Sequence, residues 1–221
     1  MNIITGSSGG LGKSVYKLFL DNKLPVLGID KVPSDTCDLT LDFLENTFED
    51  LGNIVNKKNI DSITFCHAIG NSIEEISKYN LTEYLKINAL SNLDMYNYLK
   101  KNMNQNTSLV LISSIHGVSS NMQSNKYALS KSLLESVFKM MSLEENPERI
   151  TLLRLGAVNT EMLKKNVVNI ESLINSIPAK KILQPDEIAS LIFDIHTKYS
   201  SLMNKSILQI DGGVLLKLAT D

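Results

Sequence analysis

The feature that most constrains the fold is a regular alternation of two kinds of segment. Short apolar runs at residues 2–5, 25–30, 62–66, 108–113, 150–155 and 206–210 alternate with longer stretches of helical period at 11–22, 42–57, 81–102, 126–145 and 185–197. Most of the short runs lack polar alternation, as strands covered on both faces of a parallel sheet must. Parallel strands need crossover connections, and the intervening helices supply them with right-handed sense. The last helical stretch opens Gln184-Pro185-Asp186-Glu187, with proline in the first turn and two acids that suit a helix N-terminus. The pattern predicts a doubly wound α/β sheet. No repeat, low-complexity tract or Pro/Gly/Ser linker divides it, so one domain is expected.

Composition narrows the class. With 22 basic and 24 acidic residues the net charge is −2, which gives no field to recruit nucleic acid or an anionic membrane. The apolar runs are too short to span a bilayer. The opening Met1-Asn2-Ile3-Ile4-Thr5-Gly6 lacks the basic and apolar regions of a secretion signal. Two cysteines, Cys37 and Cys66, lie far apart and outside any metal-ligand spacing, so a reducing, cytoplasmic setting and no metal site are expected.

The first strand runs directly into Thr5-Gly6-Ser7-Ser8-Gly9-Gly10-Leu11-Gly12, and a helical pattern follows. Glycines at such a junction permit a tight turn and close approach of a pyrophosphate to the backbone. The helix N-terminus adds free N–H groups and a positive dipole end. Gly6, Ser8, Gly10, Leu11 and Gly12 are therefore candidate dinucleotide contacts. A plain flexible turn would not need this strand-before, helix-after context. The second strand ends at Asp30. An acid there accepts the hydroxyls of an adenosine ribose and repels a 2′-phosphate, which favours NAD. Lys31 beside it keeps NADP open.

Tyr127 and Lys131 stand one helical turn apart in Tyr127-Ala128-Leu129-Ser130-Lys131, on one face. Ser114 follows directly on the strand at 108–113, at the carboxyl edge where ligands bind in such sheets. A phenol titrates near ~10, so acid–base work at neutral pH needs a nearby cation, which Lys131 supplies. Ser114 would hold the substrate oxygen against the phenol. Tyr-x-x-x-Lys by itself is common on exposed helices; the serine and the glycine-rich start make it informative.

With these motifs together, the chain resembles the short-chain dehydrogenases/reductases of the soluble, roughly 250-residue kind, from residue 2 to residue 214. The motif Thr-Gly-x-x-x-Gly-x-Gly falls on Thr5, Gly6, Gly10 and Gly12. The resemblance implies a Rossmann-type fold and a catalytic tetrad of Asn88, Ser114, Tyr127 and Lys131. In it the asparagine carbonyl holds a water that relays protons from the lysine, and the lysine also binds the nicotinamide ribose. It further implies that Asp38 contacts adenine, that Ala68 lies by the adenosine, and that Gly156, Val158 and Thr160 contact the nicotinamide end. Asp211-Gly212-Gly213 matches the family's ending after the last strand. Pairing of the helices that carry Asn88 and Tyr127 would give a homodimer or homotetramer.

Departures from the family pattern are informative. Cys66-His67-Ala68-Ile69 stands where Asn-Asn-Ala-Gly is usual, and Cys66 and His67 read as structural replacements. Leu155 replaces the usual proline before Gly156. Residues 31–37 are too few for a crossover helix, so the helix after the second strand is expected to be missing, the third strand vestigial and the adenine end more open. On the substrate side, chain geometry nominates His116, Met122 and Gln123. His116 equally reads as a loop histidine facing solvent or backbone. Residues 161–179 occupy the substrate-loop position, where Met162, Leu163 and Val167/Val168 either close over an apolar substrate or form a core stripe. His196 reads as a bland surface-helix residue. The expected function is NAD(P)-dependent interconversion of a small carbonyl and a secondary alcohol. The rival is a dinucleotide-sensing or scaffold protein without turnover on the same fold.

Overall fold

The structure is a computed structural model that describes residues 1–45, 48–56, 58–119, 125–144 and 149–218. Among the described residues, seven strands form one parallel sheet: β1 (Asn2–Thr5), β2 (Val26–Asp30), β3 (Leu39–Thr40), β4 (Ser62–Phe65), β5 (Ser108–Ser114), β6 (Arg149–Leu155) and β7 (Ser206–Ile210), in the order β3-β2-β1-β4-β5-β6-β7. The order reverses between β1 and β4, so the crevice at their carboxyl ends is the ligand position of a doubly wound sheet. Successive strand residues face opposite sides. Ile3, Leu109, Leu111 and Leu152 accordingly enter one core, and Ile4, Val110 and Leu153 the other. This double burial explains why the strands read as uninterrupted apolar runs.

The first core lies under α2 (Glu49–Val55) and two helices that flank the site, α5 (Ser91–Leu99) and α6 (Asn125–Leu143). The second lies under α1 (Gly10–Asp21) and α9 (Pro185–Asp194), which pack together. Short helices α3 (Ile73–Lys78) and α4 (Leu81–Leu85) precede α5; α7 (Glu161–Asn166) and α8 (Ile170–Ser176) follow β6, and α10 (Val214–Leu218) follows β7. No helix among the described residues is long and apolar enough to cross a membrane.

Differences from the expected elements have local causes. The helix expected from residue 42 starts at Glu49, because the Asp42 carboxylate accepts the Leu44 N–H (3.0 Å) and turns the chain. The helix expected over 81–102 is broken by a π-helical turn, Lys86–Leu90, and ends in a 3₁₀ turn, Lys100–Asn102. His196 is not a bland surface residue: its ring is held between the hydroxyls of Thr64 (2.9 Å) and Ser108 (2.8 Å) against Phe19, and burial pushes its pKa down to about 3.

Between β2 and β3, residues 31–38 form bends and turns. β3 pairs only as Ile29↔Leu39 and Asp30↔Thr40. A link that rejoins β2 at its very end has almost no strand length to travel back, so it needs no helix to span it. The link folds onto the glycine-rich loop rather than leaving that side bare. The Thr36 hydroxyl donates to the Ser7 carbonyl (2.7 Å), the Ser8 hydroxyl donates to the Val32 carbonyl (2.5 Å), and Lys13 pairs with Asp35 (2.7 Å).

Candidate active site

The turn from β1 into α1 is as tight as its glycines allow. Gly6 has φ +66°, and a Cβ on Gly12 would lie 2.1 Å from the Gly6 carbonyl oxygen. The N-cap of α1 is Gly9, and no side chain caps its N–H groups. Leu11 lies in that uncapped first turn. The Ser7 hydroxyl is buried there without a hydrogen-bond partner among the described residues. A bare backbone cradle at a helix N-terminus suits a pyrophosphate, so the residues fit a dinucleotide. Asp30 closes the cradle on the β2 side, accepting the Ser8 N–H (3.0 Å) and the Val32 N–H (2.9 Å). Lys31 is drawn away to Asp42 (2.5 Å). The Asp38 carboxylate faces the Gly28 N–H (2.7 Å) and the Tyr16 hydroxyl (3.3 Å), so it also anchors the short link to β2 and α1.

His67, just past β4, is buried. Nδ1 meets the Thr5 hydroxyl at 2.6 Å, Nε2 meets the Ser91 hydroxyl at 2.8 Å, and Phe43 stacks on the ring at 3.7 Å. Burial and the nearby Lys131 charge push it down to about 3, so it stays neutral and ties β1 to α5. Burial pushes the Cys66 thiol up to about 12. Both are structural residues, and Ala68 follows them at the crevice.

Ser114 ends β5 and Tyr127 stands in the first turns of α6, and the Ser114 side chain lies beside the phenol. The Lys131 Nζ lies 5.7 Å from the Tyr127 ring centroid and donates to the Ile112 carbonyl (2.9 Å). Burial pushes Tyr127 up to about 12, opposed by Ser114 and reinforced by the Glu75 carboxylate. Lys131 does not hold the phenol below its ordinary value. Its own charge is disfavoured by burial, to about 8. Asn88 occupies the π-helical turn, a distortion common at functional sites. It is fully buried. Its carbonyl accepts the Ile69 N–H (2.8 Å), and its amide donates to the Ile69 carbonyl (3.0 Å) and the Ser130 hydroxyl (2.9 Å). Ser130 donates in turn to the Tyr127 carbonyl (2.7 Å), linking Asn88 to α6.

After β6, the Gly156 N–H donates to the Ile210 carbonyl (2.8 Å), and Val158 bridges to Leu183. Thr160 caps α7 and its methyl packs onto Gly10, so this segment meets the glycine-rich loop. Met162 packs on Gly70 beside Glu75, and the His116 ring stands edge-on to Tyr127 at 5.9 Å. Met122 and Gln123 lie outside the described residues. Sequence reasoning missed Glu75, which accepts from Gly70 N–H, Ser72 N–H and the Ser72 hydroxyl, although Ser72-x-x-Glu75 is a legible capping box. It also missed Ser130, which carries no signal outside the fold.

A glycine-lined cradle at the switch point, with serine, tyrosine and lysine converging beside it, defines a nucleotide-dependent oxidoreductase of the α/β class. Residues 32–215 match the family described as enoyl-(acyl carrier protein) reductase. The 3-oxoacyl-[acyl-carrier-protein] reductase FabG of Buchnera aphidicola is 26% identical over 96% of this chain and 96% of its own. A short chain dehydrogenase family protein from Francisella tularensis superposes with TM-score 0.84 at 24% identity, over 97% of this chain and 98% of that one. The 3-alpha-hydroxysteroid dehydrogenase from Pseudomonas sp. B-0831, solved with NADH, superposes with TM-score 0.81 at 18% identity, over 100% and 99%. This chain belongs to the short-chain dehydrogenase/reductase family.

Proposed function

We propose that the protein interconverts a carbonyl and a secondary alcohol with NAD(P), using Tyr127 as the proton donor and acceptor. The observation that carries this reading is the convergence on the Tyr127 phenol of Ser114, at the carboxyl edge of β5, and of Lys131, 5.7 Å from the ring centroid. Ser114 orients the substrate oxygen, and Tyr127 hands it a proton. A phenol held near 12 is protonated at neutral pH, the form needed to donate, and must be brought down towards neutrality to transfer that proton efficiently. Lys131 uses one of its three N–H donors on Ile112, leaving two for the nicotinamide ribose and a proton path. Asn88 ties the π turn to Ile69 and Ser130, where the relay water of the family would bind. Bound NAD(P) supplies the hydride and, when oxidised, a positive charge that lowers the phenol pKa.

NAD is the proposed cofactor. Asp30 stands at the end of β2 against the cradle, and the Lys31 ammonium that would welcome a 2′-phosphate is paired with Asp42. Asp38, Ala68, Gly156, Val158 and Thr160 complete the proposed nucleotide contacts. The substrate is a small carbonyl compound, with His116 and Met162 facing it. Exposed Leu129, Met140 and Leu143 on α6 support a homo-oligomer, which light scattering would detect. The two free cysteines suit the cytoplasm.

The test follows reduced-cofactor absorbance with NADH and NADPH across small ketones, β-ketoacyl thioesters and sugar-like carbonyls. Tyr127→Phe should abolish turnover and retain cofactor binding. Undiminished turnover in that variant would refute the mechanism, and saturable binding without turnover on any carbonyl would favour a sensor.

A further inference from the structure

The catalytic groups come from two separate elements: Ser114 from the end of β5, Tyr127 and Lys131 from α6. A largely buried carboxylate, paired with a partly buried arginine, lies where the two elements meet. Glu135 is one helical turn beyond Lys131 on α6 and is 6% exposed. Arg154 lies on β6 directly beside Ser113, its register partner on β5, and Leu155 lies beside Ser114. The guanidinium grips the carboxylate in a two-point fork, Nε to Oε1 (2.9 Å) and Nη2 to Oε2 (2.7 Å). Its Nη1 donates to Gln209 on β7 (3.2 Å).

The same carboxylate reaches the β5 turn. Oε1 accepts from the Ser113 hydroxyl (3.1 Å), and a Cβ on Gly117 would lie 3.0 Å from it and 3.3 Å from the Lys131 carbonyl. The Ser132 hydroxyl donates to the Gly117 carbonyl (2.6 Å). The turn Ile115–Gly117 is thus pressed onto α6 between Lys131 and Glu135. A buried ion pair earns its place poorly as a source of stability, since apolar residues of similar volume serve as well or better. What apolar residues cannot do is accept from Ser113 while locked by a planar fork from the neighbouring strand.

We propose that Glu135 and Arg154 are positioning residues that set the distance between the Ser114 turn and the Tyr127/Lys131 helix. The proposal rests on the oxidoreductase reading for its effect on rate, but not for its effect on the turn. Misplacing a reacting group by about 1 Å is enough to cost roughly 100-fold in rate.

The test compares Glu135→Gln, which keeps an acceptor for Ser113, with the double variant Glu135→Met/Arg154→Met, which removes both charges and keeps the volume. Thermal melting, amide hydrogen exchange of residues 115–119, NADH binding and steady-state kinetics are measured on each. In the double variant, melting within a few degrees of wild type, roughly tenfold faster exchange in the turn and kcat down roughly 10- to 100-fold with NADH binding unchanged support the proposal. Glu135→Gln should recover most of the rate. Wild-type exchange and wild-type kcat in the double variant overturn it. If the wild-type protein turns over no carbonyl, the proposed function fails while the exchange arm still decides the clamp.

Discussion

Lys131→Met should make the protein more stable while removing its activity. Lys131 is 3% exposed, and burial lowers its pKa from the usual 10.5 to about 8. The nearby Cys66 thiol offsets that loss only in part. At pH 7 the lysine is still charged in the folded state, at a cost of about 3 kcal/mol for a drop of that size. Methionine fills similar space without a charge but forfeits the hydrogen bond to the Ile112 carbonyl, worth about 1 kcal/mol. The net gain is about 2 kcal/mol, which raises the melting temperature by roughly 4–8 °C in a chain of this length. Between pH 8 and 10.5 the unfolded chain keeps the lysine proton that the folded protein has released, so wild-type stability rises with pH through that window. The variant's advantage is therefore full below pH 8 and shrinks above it. Calorimetry at pH 7 and pH 9, without added nucleotide, reads both effects. A variant that melts at or below the wild-type temperature at pH 7, or whose advantage does not narrow at pH 9, refutes the reasoning.

Other substitutions probe the remaining parts. Asn88→Ala removes hydrogen bonds to both backbone groups of Ile69 and to Ser130 in a fully buried site, and should lower the urea midpoint by the equivalent of about 2–4 kcal/mol; an unchanged midpoint would count against its role in holding the π turn. Gly12→Ala drives a Cβ to 2.1 Å from the Gly6 oxygen, so NADH titration should show binding lost and melting should fall by the equivalent of about 1–3 kcal/mol. Asp30→Ala should relax the ratio of NADH to NADPH activity towards NADPH, and an unchanged ratio would mean that Asp30 serves only to tie Ser8 to Val32.

Much of the fold is legible in local pattern because strands buried on both faces and helices buried on one leave different periodicities. Ile3 and Ile4, or Leu109 and Val110, are both apolar because each faces a different core. The short β2–β3 link is legible by length, but its folding onto Ser7 and Ser8 is not, since those contacts join residues more than twenty positions apart. The π turn at Asn88 leaves no periodicity of its own within five residues. His67 and His196 could not be placed from sequence, because their hydroxyl partners come from other strands and helices.

The sequence by itself determined the parallel α/β class, the glycine-rich turn into α1, and the pairing of Tyr127 with Lys131, all of which follow from spacing along one strand or one helix. The ionisation state of those groups follows from packing between distant segments. Burial raises Tyr127 and lowers Lys131, and burial is a property of every chain segment packed around them. That packing also decided that Arg154 of β6 grips Glu135 of α6 beside Ser113 of β5. Local chemistry selects the residue types, and the packing of distant segments sets their distances and their charge.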